Sequence, residues 1–139
     1  RLSLAHTFLA RDSEFSSRAK AVCADPEILF IDFSSVNLVN DDLDDIFDGL
    51  VDREIRREIN DSYKNHSIAY LNIASNKISP DYVLRFLMNL QNGKKIGDKK
   101  IYPDLNGTLL KVGFPLSEEF IDRFESVAPN IATTLIIAG

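Results

Sequence analysis

The sequence predicts an α/β fold made of stacked strand–helix repeats, and three observations carry that expectation. First, one hydrophobic template occurs twice, forty residues apart. Ile28, Ile31, Phe33, Leu38, Leu43, Phe47 and Leu50 align one for one with Ile68, Leu71, Ile73, Ile78, Val83, Leu87 and Leu90. Self-similarity at a fixed period is the signature of repeat architectures, in which each unit buries its apolar face only against its neighbours. Second, each copy opens with a short apolar alternation, the pattern of a strand with one buried face, and closes with apolar residues at helical spacing. Third, the strand signal recurs at Leu2, Leu110 and Leu135, so the pattern covers most of the 139 residues.

Taken in order, the segment from Leu2 to Leu9 matches Ile31 to Leu38 at an offset of 29, with Thr7 opposite Val36. A helical stretch follows around Phe15, Ala19 and Val22. Ile28 to Phe33 is the next strand, and Leu43, Phe47 and Leu50 mark its helix, with Asn40 as cap. Asp41, Asp42, Asp44, Asp45 and Asp48 fall in the first turns of that helix, where negative charge complements the helix dipole. Without the glycine and terminal glutamate of a calcium loop, the run is read as helix-start chemistry and not as a metal site. Val51 to Ser67 is a charge-dense insertion, read as an extended, solvated helix.

In the second copy, Ile68, Leu71 and Ile73 form the strand and Asn76 stands in the turn, where a buried amide can satisfy unpaired backbone groups. Ser79 caps the following helix and Pro80 takes its first position. Val83, Phe86, Leu87 and Leu90 supply the stripe. Gln91 to Asn106 is a second insertion, holding Lys94, Lys95, Lys99 and Lys100 among Gly93, Gly97 and Pro103. Leu110, Val112 and Leu116 open a further copy, one residue short. Ser117, Glu118 and Glu119 begin its helix, with Phe120, Ile121, Phe124 and Val127 on the stripe. Leu135 and Ile137 belong to a last strand.

Read as a string, Ile68-Ala69-Tyr70-Leu71-Asn72-Ile73-Ala74-Ser75-Asn76-Lys77-Ile78 is L-x-x-L-x-L-x-x-N-x-L. This resembles the leucine-rich repeat signature, and the whole chain resembles the helix-bearing, ribonuclease-inhibitor-like class of that family. The resemblance implies a curved solenoid with a parallel concave sheet and convex helices. It also implies a non-catalytic role in protein–protein interaction or scaffolding within a larger assembly. Repeats of that class run to ~29 residues, so a period near forty leaves about eleven extra residues in each middle copy. The Asn position holds Thr7, Val36, Asn76 and Pro115, so the family's internal Asn ladder is largely missing.

Alternation along the strands points the residues between the buried ones outward. Stacking the copies gives a row of Phe30, Tyr70 and Leu109, a row of Ser3, Asp32, Asn72 and Lys111, and a small row of Ala5, Ser34, Ala74 and Gly113. An outward row of large apolar side chains marks an interaction surface, and the small row beside it lets a partner's backbone approach. The alternative is a strand phase shifted by one, or an insertion folded over Phe30 and Tyr70. The lysine insertion reads first as solvated surface and second as an accessory basic loop (Lys94, Lys95, Lys99, Lys100) for an acidic partner or an RNA-containing assembly.

The remaining chemistry is sparse. A net charge of −5 argues against a general nucleic-acid binder. His6 and His66 have no serine or cysteine at catalytic spacing, and Cys23 sits with Ala19 and Val22 on an apolar helix face. The glycines form no phosphate loop, and no nucleophile elbow appears. The expectation is therefore no enzyme, no cofactor and no metal. No apolar run reaches the ~20 residues of a membrane span. Three N-glycosylation tripeptides, at Asn60, Asn65 and Asn106, are read as coincidence in the absence of a signal peptide or paired cysteines. That absence also suggests an intracellular, cytoplasmic or nuclear, chain. The chain lacks an initiator Met and opens and closes on strand-like segments, which suggests a piece of a larger protein.

One competing resemblance remains. Ile28 to Phe33, followed by Ser34, Ser35 and an acidic-capped helix, is similar to the sulfate-transporter-and-antisigma-factor-antagonist family. That resemblance implies a small regulatory α/β domain with Ser34 or Ser35 as a phosphorylated switch. The forty-residue internal match and the recurring strands favour the repeat.

Overall fold

The computed structural model describes residues 14–139. The strand expected at Leu2 to Leu9, with Ser3, Ala5, His6 and Thr7, lies outside the described residues. From residue 14 onward the elements are α1 (Phe15–Ala24), β1 (Phe30–Asp32), α2 (Asp42–Ile59), β2 (Tyr70–Asn72) and α3 (Pro80–Asn92), followed by a hairpin of β3 (Lys94–Ile96) and β4 (Lys99–Ile101). Then come β5 (Leu109–Lys111), α4 (Glu118–Val127), α5 (Pro129–Thr134) and β6 (Ile136–Ala138). One turn of 3-10 helix, Asp61–Tyr63, follows α2.

Among the described residues, four strands form one parallel sheet in the order β1-β2-β5-β6, and the hairpin is a separate two-stranded sheet. Each sheet strand lies beside the next one in the chain. Parallel neighbours need a crossover, and α2, α3 and the α4–α5 pair supply them in turn. The alternation expected from sequence sets the inward face. Ile31, Leu71 and Leu110 are register partners, all buried, and Phe33, Ile73 and Val112 follow them into the core. Leu43, Ile46, Phe47 and Leu50 of α2, Val83, Phe86, Leu87 and Leu90 of α3, and Phe120 and Phe124 of α4 close the same core from the helix side. Burying each such side chain contributes ~1.5–3 kcal/mol, so this single cluster is the main source of stability. Val127, expected on the α4 stripe, is instead exposed beyond the last buried turn.

The helix starts follow their cap chemistry. The hydroxyl of Ser79 accepts from Tyr82 N at 3.3 Å with Pro80 at the first position, and the hydroxyl of Ser117 accepts from Phe120 N at 3.1 Å. At α2 Asp41 holds the cap position without a side-chain cap bond, and the Asn40 side chain, expected there, instead accepts from Ser79 N in the next unit at 3.0 Å. Asp42 is buried, and its carboxylate accepts from Val39 N at 2.8 Å. Gly49 permits the close crossing of α1 over α2, since a Cβ there would lie 2.6 Å from the Lys20 carbonyl and 2.7 Å from Cys23 Cβ.

Two polar hubs bind neighbouring units together. On the edge where strands end, the Asn76 side chain accepts from Val36 N (3.1 Å) and Leu38 N (2.9 Å). It also donates to the carbonyls of Phe33 (2.8 Å), Ile73 (3.0 Å) and Ala74 (3.0 Å). Ser35 and Ser75, forty residues apart, both take left-handed backbone in these turns (φ 55° and 58°).

On the edge where strands begin, Arg53 is 1% exposed and donates to the carbonyls of Asp25, Pro26, Ile28 and His66 at 2.6, 3.3, 2.9 and 3.0 Å. One turn later Arg57 donates to the carbonyls of Tyr63 (3.1 Å) and Lys64 (2.6 Å), and to Glu54 (2.6 Å) and Asp104 (3.2 Å). The Val51 to Ser67 insertion does extend a helix, but two of its arginines, Arg53 and Arg57, are buried ties while Arg56 is exposed. Each guanidinium, a donor-only fork, satisfies carbonyls that would otherwise be buried unpaired.

No helix among the described residues is long and apolar enough to cross a membrane.

Candidate functional site

The open face of the sheet carries the rows expected from sequence. Phe30, Tyr70 and Leu109 are register partners across β1, β2 and β5, and Ile136 of β6 continues the row. All four alternate with the buried Ile31, Leu71, Leu110 and half-buried Ile137, so they lie on the face turned away from the helices. Phe30 is 38% exposed and Ile136 57%, while Tyr70 and Leu109 are half-buried. Neither insertion removes the row from solvent: the first is tied along the strand-beginning edge and the second packs on α2. Ile136 was missed as a row member although the Leu135, Ile137 alternation already implied it.

The second row has a different character. Asp32, Asn72 and Lys111 are in register. However, Asp32 accepts from Ser34 N at 2.8 Å and Asn72 accepts from Ala74 N at 2.8 Å, so each closes the turn that leaves its own strand. Asn72 is buried as well. Lys111 alone of the three is exposed. Of the small row, Ala5 lies outside the described residues and Ala74 is buried. A Cβ on Gly113 (φ 81°) would come within 2.7 Å of Ala74 Cα, so the close approach expected of a partner's backbone is made there by the chain's own preceding unit.

The four lysines of the second insertion do not form one loop. A Gly97-Asp98 turn joins β3 to β4, pairing Lys94 with Ile101, Lys95 with Lys100 and Ile96 with Lys99. Lys94 binds Asp48 at 2.8 Å and Lys99 binds Glu58 at 2.7 Å, both carboxylates of α2. With Ile101 buried in the core, this face of the hairpin lies on the helix layer. Lys95 and Lys100 occupy the other face and are exposed. The lysine hairpin and the sheet row are therefore separate surfaces.

The remaining singled-out groups are accounted for locally. Ser34 and Ser35 lie in the turn after β1, with residues 36–40 and the cap Asp41 between them and α2, so neither stands at the helix N-terminus. His66 packs its ring against Tyr63, centroids 5.6 Å apart, and gives its carbonyl to Arg53. Burial pushes the Cys23 thiol up to about 12, leaving it protonated and inert at neutral pH. Burial, and after it the adjacent Arg57, lowers Arg53 to about 10, which still leaves it charged at neutral pH. No protein-family model, curated protein or solved structure matches the chain.

Proposed function

We propose that this chain is a non-catalytic protein–protein interaction module of a larger assembly, and that its units form a curved leucine-rich-repeat solenoid. The partner is a protein that docks on the open face of the sheet. One observation carries the reading: a row of Phe30, Tyr70, Leu109 and Ile136, in register, on the face opposite the helices. Contiguous exposed apolar side chains of this kind mark interaction surfaces, and the aromatic members are the residue types that dominate binding energy. Lys111, exposed beside the apolar row, gives it a polar margin.

Curvature follows from spacing. Adjacent strands are ~4.8 Å apart while packed helices need ~8–10 Å, so helices on one face of a sequentially ordered sheet favour a bend with the strands inside. The Asn76 hub, which joins two successive turns, supports the repeat assignment.

The test is affinity co-purification with wild type, a Tyr70→Asp, Ile136→Asp variant, and a Met88→Asp control on the exposed side of α3. Circular dichroism first establishes that each variant folds. A partner retained by wild type and the control but lost from the sheet variant supports the reading. Retention by the sheet variant sinks it.

A further inference from the structure

The outer face of the β3–β4 hairpin, together with the hollow beside it, forms a second contact surface, and we infer that it takes a short acidic segment of a partner protein anchored by one apolar side chain. Lys95 and Lys100 stand directly opposite each other. Like charges in that position sit with Cβ atoms only ~4.5–5.5 Å apart and are destabilising. On the opposite face of the same hairpin no two lysines stand directly opposite, and Lys94 and Lys99, on the diagonal, each meet a carboxylate of α2. Among the described residues, neither Lys95 nor Lys100 forms an ion pair. The fold neutralises one lysine pair and leaves the other for an external anion.

The neighbouring residues say what kind of anion. Tyr102, two residues after Lys100, is 55% exposed, and its ring packs on the backbone of Gly93, where a Cβ would come within 2.8 Å of Cδ1. The same tyrosine is one wall of an open hollow of about 380 Å³, completed by Leu90, Pro103, Asn130, Ile131 and Thr134. Residues two apart on a strand are ~7 Å apart, the same rise as two residues of an extended peptide. A peptide with an apolar side chain in the hollow therefore brings a carboxylate two residues along onto Lys100 and Lys95.

A nucleic-acid backbone fits the surface poorly. Two free lysines displace only about two counterions, too few for useful affinity at moderate salt. Asp98 at the hairpin tip and Asp104 past Tyr102 also stand at the two ends of the surface, and the chain carries a net charge of −5. A long polyanion must pass both carboxylates, whereas a peptide of a few residues lies between them.

The experiment is fluorescence anisotropy on the whole chain at low salt. The probe is a fluorescein-labelled pentapeptide with a central leucine flanked by aspartates and glutamates, and a twenty-nucleotide single strand of thymidylate is the comparison. Saturable micromolar binding of the peptide is expected. It falls at least tenfold in a Lys95→Glu, Lys100→Glu variant, in Thr134→Trp, which fills the hollow, and when the peptide's leucine becomes serine. Lys77→Glu, at the opposite end of α3 from the hairpin, and Tyr70→Asp, Ile136→Asp, on the sheet, leave it within twofold, so the result is independent of the sheet-face reading. Lys95→Ala, Lys100→Ala is the second lysine variant, and removing a repulsive pair favours its folding. The inference is overturned by no peptide binding up to millimolar concentration, by binding insensitive to both lysine variants, or by tighter lysine-dependent binding of the oligonucleotide.

Discussion

On the edge of the sheet where strands end, one neutral amide joins two units: Asn76 accepts from the backbone of Val36 and Leu38 and donates to Phe33, Ile73 and Ala74. On the edge where strands begin, two charged side chains of α2 join three loops. Arg53 reaches the segments before β1 and β2, and Arg57 reaches the segments before β2 and β5. The difference lies in what each edge leaves unpaired. The turns after the strands expose both N–H and C=O groups, and an amide matches both. The loops before the strands leave carbonyls, and only a donor-rich, acceptor-free guanidinium matches those. Successive strand–helix units can therefore be joined by one uncharged residue on one side while the other side needs a buried cation.

The widest test of that contrast is Arg53→Met. The thioether fills part of the space but removes the guanidinium donor from the carbonyls of Pro26, Ile28 and His66, while Asp25 keeps only its bond from Ile28 N. Unfolding in urea is expected to show a loss of ~3–5 kcal/mol. Arg53→Lys recovers little, because one ammonium cannot reach four carbonyls spread over two loops. If Arg53→Met unfolds at the wild-type urea midpoint, the buried guanidinium is not a tie at all. Asn76→Ala comes next, with an expected loss of ~2–4 kcal/mol for five bonds to groups that are only partly buried. Asn76→Asp is expected to be no better, since it keeps the acceptor but exchanges the donor for a charge beside the carbonyls of Ile73 and Ala74.

A third measurement uses pH, to which only the strand-beginning edge responds. Cys23 lies beside that edge with its thiol pushed up by burial from 9.0 to about 12. The folded pKa is raised above the unfolded value. The protonated thiol therefore contributes stability that is complete below pH 9 and is lost as pH climbs toward 12. Relative to Cys23→Ala, which removes the group, wild type is expected to lose about 2 kcal/mol between pH 8 and pH 10.5. The subtraction is needed because Arg53, lowered to about 10, moves the other way. Its charged form is disfavoured by burial, and that cost is relieved above pH 10. Parallel curves for the two proteins would show that the thiol is not desolvated.

The two edges were also unequally legible. Asn76 falls at a defined place in a repeat string, and a buried Asn after an L-x-L strand has one obvious use. The phase of the strands, the caps at Ser79 and Ser117, and the rows on the sheet were equally readable, because period-2 alternation and cap chemistry are local. Carbonyls awaiting a donor leave no mark in sequence, and Arg53 and Arg57 sit in a run of charge that reads as solvated. A signal was nevertheless present. Ile46, Leu50, Arg53 and Arg57 share one helical stripe, so both arginines continue the apolar face of α2. The hairpin was legible too, in the near repetition of Lys94-Lys95-Ile96 and Lys99-Lys100-Ile101 around Gly97-Asp98, a two-residue turn signal. Which lysines meet a carboxylate was not, since Asp48 and Glu58 are more than forty residues away along the chain.

The smallest expected effect separates buried ties from surface ones on the same edge. Thr108 is buried and its hydroxyl donates to the Ile68 carbonyl of the preceding unit, so Thr108→Val is expected to cost about 1 kcal/mol in urea unfolding. Lys99, paired with Glu58 in solvent, joins the first unit to the second as Thr108 joins the second to the third, yet Lys99→Ala is expected to change stability by less than about 0.5 kcal/mol. If the ranking were reversed, surface ion pairs and not buried donors would be holding one unit to the next. Arg53 and Thr108, different in charge but alike in giving a hydrogen to a buried carbonyl, would then have no common role.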